Sequence, residues 1–181
     1  MKKLILIAAL TGLCCGWQAR AERKADGETV RFELPSSRVY PGTSRTLTVW
    51  IPDAYDGATP ACLLVRMDSM GPVPEVLSEL ISEKAIPVTA AVIIEPGKIF
   101  KPGTRKVIRY NRSNEFDRTD GRFAGFLENE VLPALGSVRT SDGRSLTISP
   151  RATDHAIMGY SSGKGRVDPV LNGNPDIFSH I

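Results

Sequence analysis

The chain has little of what metal or disulfide chemistry needs. Its 181 residues hold two histidines and three cysteines. Two of those cysteines, Cys14 and Cys15, lie in the first 21 residues, leaving Cys62 without an intramolecular disulfide partner downstream. Cys62 falls in the apolar run Ala61-Cys62-Leu63-Leu64-Val65, where a free cysteine packs as a small hydrophobe. So few imidazoles and thiols argue against a zinc site, and no metal or other cofactor is expected. No apolar run reaches the roughly 20 residues of a bilayer span. Aromatic residues are sparse at 7%, but 41% hydrophobic and 24% charged residues describe an ordinary globular chain.

The apolar stretch that does occur is N-terminal. Lys2 and Lys3 precede Leu4 to Trp17, and Ala19-Arg20-Ala21 places small residues at −3 and −1 before Glu22. This pattern predicts a signal peptide over residues 1–21, hence a periplasmic or secreted protein without stable membrane insertion after cleavage. Cys14 and Cys15 raise a lipoprotein signal, but the residues before them are poor fits to the small residue required. The formal charge of +3 comes from this leader, because without Lys2, Lys3 and Arg20 the basic and acidic residues are equal in number. Overall charge therefore gives no case for nucleic acid or an anionic membrane as partner.

The remainder reads as one domain, 22–181. Thr29–Leu34 alternates polar and apolar, and Arg45–Ile51 is rich in β-branched residues, which predicts two early antiparallel strands. Asp56-Gly57 suits a hairpin connection after the second. Ala61–Val65 and Val88–Ile94 are continuous apolar runs, the pattern of strands buried on both faces. Between them Val76, Leu77, Leu80 and Ile81 mark one helix face. Lys98–Asp120 is long, polar and irregular, and Phe123 to Leu135 has helical spacing with Pro133 near its end. His155-Ala156-Ile157-Met158 is a short strand running into Gly159. The order predicts an α/β fold with a mainly parallel sheet and two antiparallel N-terminal strands.

Gly159-Tyr160-Ser161-Ser162-Gly163 fits G-x-S-x-G directly after that last strand, the setting of a nucleophile elbow. The turn from strand to helix is sharp, so the positions two residues either side of the serine must be nearly bare, as Gly159 and Gly163 are. Ser161 becomes the candidate nucleophile and the Ser162 N–H an oxyanion donor. Ser162-Gly163-Lys164-Gly165 only faintly matches a phosphate loop, since Met158 and Gly165 occupy positions that need Gly and Ser or Thr.

On these residues the chain resembles the exported esterases related to enterochelin esterase, in the α/β-hydrolase superfamily. The likeness runs through Tyr40–Arg45, Val49–Asp56 with Pro60–Val65, Glu115-Phe116-Asp117, Arg122-Phe123, Phe126-Leu127 and the G-x-S-S-G elbow. It implies a serine hydrolase acting on small-molecule carboxylic esters, with Ser161 as nucleophile and no metal. Where the family commonly has an Asp-Gly turn, this chain has Arg66-Met67-Asp68-Ser69, and the resemblance makes Ser69 the second oxyanion donor.

A serine nucleophile needs a histidine base and a carboxylate to orient it. The superfamily order puts both after Ser161, where Asp168, Asp176 and His180 are the candidates. His180 should fall at the start of the next strand, a strand length of roughly 17–20 Å from the elbow. His155 lies six residues back along the incoming strand. Pro169, Gly165 and Gly173 also disfavour the helix that should follow the elbow. The expectation is an α/β-hydrolase sequence whose C-terminal part, with acid and base, is missing, and which turns over little ester. The alternative is a non-catalytic exported binding protein on the same scaffold, using Lys101, Arg105, Lys106, Arg109 and Arg112 for an anionic ligand. Composition is silent on oligomeric state.

Overall fold

A computed structural model describes residues 25–118 and 120–159. Its centre is a five-stranded sheet in the order β1-β2-β4-β3-β7, formed by β1 (Gly27–Leu34), β2 (Arg45–Pro52), β3 (Cys62–Met67), β4 (Thr89–Ile94) and β7 (His155–Met158). β1 pairs antiparallel with β2, and β2 antiparallel with β4. β4, β3 and β7 run parallel, in registers that align Val65 with Val92 and with Ile157. The short strands β5 (Lys98–Phe100) and β6 (Val107–Tyr110) form a separate antiparallel hairpin.

The apolar runs of β3 and β4 follow from burial on both faces. On one face Leu47, Val49, Val65, Met67, Val92, Ile94 and Ile157 pack against Phe123, Phe126, Leu127, Val131 and Leu135. On the other, Trp50, Leu64, Ala91 and Ile93 meet Val73 and Leu77 of α1 (Val73–Ser82). Pro74 lies in the first turn of α1, where a missing N–H costs nothing. α1 carries the chain from β3 to the parallel β4, as a crossover must.

Two expectations are corrected here. Asp56-Gly57 is a turn, with Gly57 at φ +77° and the Asp56 carboxylate accepting the Ala58 and Thr59 N–H groups, but it closes no hairpin. Its flanking strands are not neighbours, because β4 lies between β2 and β3. Lys98–Asp120 is not irregular throughout, since it holds the β5–β6 hairpin and the short helix α2 (Arg112–Phe116). Exposed side chains had hidden its alternation. The predicted helix over Phe123–Leu135 forms in three pieces: α3 (Arg122–Phe126), a π-helical turn (Leu127–Val131) and α4 (Leu132–Leu135). Pro133 lacks an N–H and its ring crowds the carbonyl four residues back, and the helix widens just before it.

One ion pair braces the upper part of this fold. Arg45 and Glu115 are both fully buried, joined by two bonds of 2.8 and 2.9 Å. The Arg45 guanidinium carbon lies 4.2 Å from the Phe126 ring centroid, and its Nη2 donates to Thr43 Oγ1. Glu115 also accepts the Gly97 N–H at 3.0 Å and the Asn111 side-chain amide at 2.9 Å. Gly97 and Asn111 are the two feet of the β5–β6 hairpin, and the Asn111 N–H bonds the Gly97 carbonyl at 2.7 Å. A Cβ on Gly97 would lie 2.5 Å from a Glu115 oxygen, so a larger residue there must displace the carboxylate.

Candidate active site

Parallel strands in an open sheet gather their carboxyl ends along one edge, and ligand sites of such sheets lie there. In this chain the carboxyl ends of β4, β3 and β7 make that edge. β7 closes at Met158 and Gly159 follows immediately, so the G-x-S-x-G segment opens at the edge. Ser161, Ser162 and Gly163 lie outside the described residues, as do Asp168, Asp176 and His180. The last register pair beside Gly159 is Arg66 of β3 with Met158 of β7. Arg66 reaches across it, donating from Nη1 to Met158 Sδ at 3.3 Å and from Nε to the Ser69 carbonyl.

Asp68 is the residue on which the chain turns out of β3. It sits at φ +75°, a left-handed conformation that costs a non-glycine residue about 1–2 kcal/mol. Two sets of contacts hold it there. Its N–H donates to the Ile94 carbonyl at 3.1 Å. Its two carboxylate oxygens accept from Arg112 Nε and Nη2, at 2.8 and 2.5 Å. The same carboxylate raises the pKa of the Arg112 guanidinium further above its ordinary value. Arg112 opens α2, and Glu115 of α2 is the residue gripped by Arg45. A chain of contacts thus runs from the buried core to the loop carrying Ser69, which is exposed beside the edge.

His155 lies at the other end. It starts β7, and four strand residues at about 3.3 Å each leave Gly159 about 13 Å away. Its ring is buried, with Nε2 2.6 Å from the Ser149 carbonyl. A groove of about 560 Å³ there is lined by Leu132, Leu135, Arg139, Ser149 and His155, so it belongs to the amino end of the sheet and not to the elbow. Cys62 is also at that end, and burial, the largest cause, with the Asp154 charge pushes its thiol pKa up. Cys62 is half-buried, and a thiol shifted in this direction forms less of the reactive thiolate. Among the described residues no group of three His, Cys, Asp or Glu side chains could hold a metal ion. No described helix is long and apolar enough to cross a membrane.

No family model matches the chain, and no curated protein matches it. Solved structures do. The enterochelin esterase of Shigella flexneri superposes with a TM-score of 0.60 at 18% identity, covering 84% of this chain and 34% of its own. This is an α/β-hydrolase fold. The ferric enterobactin esterase of Salmonella typhimurium gives 0.62 at 20%, covering 83% and 34%. The ferulic acid esterase of Anaeromyces mucronatus, solved with ferulic acid, gives 0.62 at 15%, covering 91% and 60%. The chain therefore spans about a third of the length of the enterochelin esterases it matches.

The Asp68–Arg112 clamp and the Arg45–Glu115 pair were not legible in the sequence. Their partners are 44 and 70 residues apart, and charged residues at such spacing carry no local signal.

Proposed function

We propose that the chain carries the nucleophile part of a serine ester hydrolase. Ser161 is its nucleophile, Ser162 N–H one oxyanion donor, and Ser69 N–H the second, held by the clamped turn at Asp68. The reading rests above all on the emergence of Gly159 from β7 at the carboxyl edge, beside the end of β3. Carboxylic esters of small molecules are the proposed substrates, supported by likeness to enterochelin and ferulic acid esterases.

The acid and base are proposed to lie outside this site as the chain presents it. The ring of His155 is occupied at the far end of β7, so it is not proposed as the base. The 181-residue chain should then react poorly through its hydroxyl. A thiol removes that obstacle, since cysteine ionises near pH 8.5 without a partner base. Ser161→Cys treated with p-nitrophenyl acetate at pH 8.5 should be acetylated at position 161 at least tenfold faster than at Cys62. Equal acetylation at the two positions would contradict the proposed nucleophile position.

A further inference from the structure

The charge balance of the chain conceals a local segregation. From Pro96 to Asn114 there are six basic residues and no acidic one. Lys98 pairs with Glu95 at 2.8 Å and Arg112 with Asp68 at 2.5 Å. Lys101, Arg105, Lys106 and Arg109 are exposed, with no ion-pair partner among the described residues. All four stand on the β5–β6 hairpin or its tip. On β6, Ile108 and Tyr110 flank Arg109 and are 57% and 62% exposed. Two residues apart on a strand, their side chains share one face.

The hairpin is braced for a load. Its feet are tied to the buried Glu115, and a pair of backbone bonds joins Lys98 to Ser44 at the start of β2. A soluble anion would engage the four cations but would leave Ile108 and Tyr110 in water. Dense negative charge lying over an apolar layer accommodates both sets of groups together. We propose that the β5–β6 hairpin docks this protein peripherally on anionic phospholipid surfaces. Lys101, Arg105 and Lys106 at the tip meet headgroup phosphates and Ile108 and Tyr110 enter the boundary between headgroups and acyl chains, while Arg109, on the opposite face of β6, adds attraction at longer range. Each cation at such a surface contributes roughly a fivefold gain in partitioning. The hairpin leaves the sheet at the carboxyl end of β4, so docking holds the edge bearing Gly159 close to the interface. The proposal does not depend on Ser161 being a nucleophile.

The test is co-sedimentation of the full chain with vesicles of phosphatidylcholine, alone or with 30% phosphatidylglycerol. Binding should require phosphatidylglycerol and weaken as salt rises. Replacing Lys101, Arg105, Lys106 and Arg109 together by Gln should lower partitioning at least tenfold. Ile108→Ser with Tyr110→Ser should lower it at least threefold. These positions are exposed, so unchanged thermal unfolding verifies that the variants fold. The leader is common to all variants, so differences between them report the hairpin. Equal binding to both vesicles, or partitioning unchanged in the four-Gln variant, would overturn the proposal. So would full vesicle binding by the Ser pair, which would make the hairpin a site for soluble polyanions instead.

Discussion

Arg112 holds Asp68 by both carboxylate oxygens, at 2.8 and 2.5 Å, across 44 residues of sequence. The grip fixes a left-handed residue where the chain leaves β3, next to the strand that leads to Gly159. Arg112→Ala should lower stability by about 1 kcal/mol, near the upper end for a half-exposed pair. Adding Asp68→Gly should recover part of that loss, because glycine adopts φ +75° without strain. Urea denaturation reads both. A double variant no more stable than Arg112→Ala would mean that the turn stores no strain.

The Arg45–Glu115 pair is fully buried, so removing one charge leaves the other uncompensated. Glu115→Gln should cost about 3–5 kcal/mol in thermal or chemical unfolding. Gly97→Ala should also destabilise, by about 1–3 kcal/mol, through its collision with the same carboxylate. Losses below about 1 kcal/mol for both would remove the pair from its bracing role.

At the loop before β7, Asp142 accepts hydrogen bonds from Arg144 and Thr140, which lower its pKa from 3.8 to about 2. A carboxylate held below its unfolded value stabilises the fold above that value. Its contribution declines below about pH 4 and is lost as pH falls through about 2. Carboxyl NMR should show a midpoint near 2 for Asp142, moving toward 3.8 in Arg144→Ala. A wild-type midpoint near 3.8 would contradict the arrangement.

His155 is placed as a structural residue of the amino end. His155→Gln should leave the acetylation rate at position 161, measured in the Ser161→Cys background, within about twofold if folding is retained. A tenfold fall with normal unfolding would put the ring within reach of the elbow.

The five strands of the main sheet were legible because hydrophobic periodicity is a local property. Thr29–Leu34, Arg45–Ile51, Ala61–Val65, Val88–Ile94 and His155–Met158 each declared themselves by alternation or by a solid apolar run. The β5–β6 hairpin was not legible, because its exposed face carries Ile108 and Tyr110 among cations and so shows no polar–apolar rhythm. Pairing order was equally hidden. Asp56-Gly57 has good turn chemistry, but which strand lies beside β2 is decided by the crossover through α1. Of the site, the sequence supplied the elbow motif and the turn after β3. It could not supply Arg112 as the partner of Asp68, since that contact exists only once α2 is folded over the edge.

Beneath all of this lies the proposal that Ser161 is the nucleophile and that no histidine of this chain serves as its base. The direct test is the rate of fluorophosphonate labelling at Ser161 in the 181-residue chain, with and without added imidazole, and with Ser161→Ala as the blank. The account predicts slow labelling that accelerates with imidazole and vanishes in the Ser161→Ala chain. Rapid labelling without imidazole, abolished by His180→Gln, would contradict it.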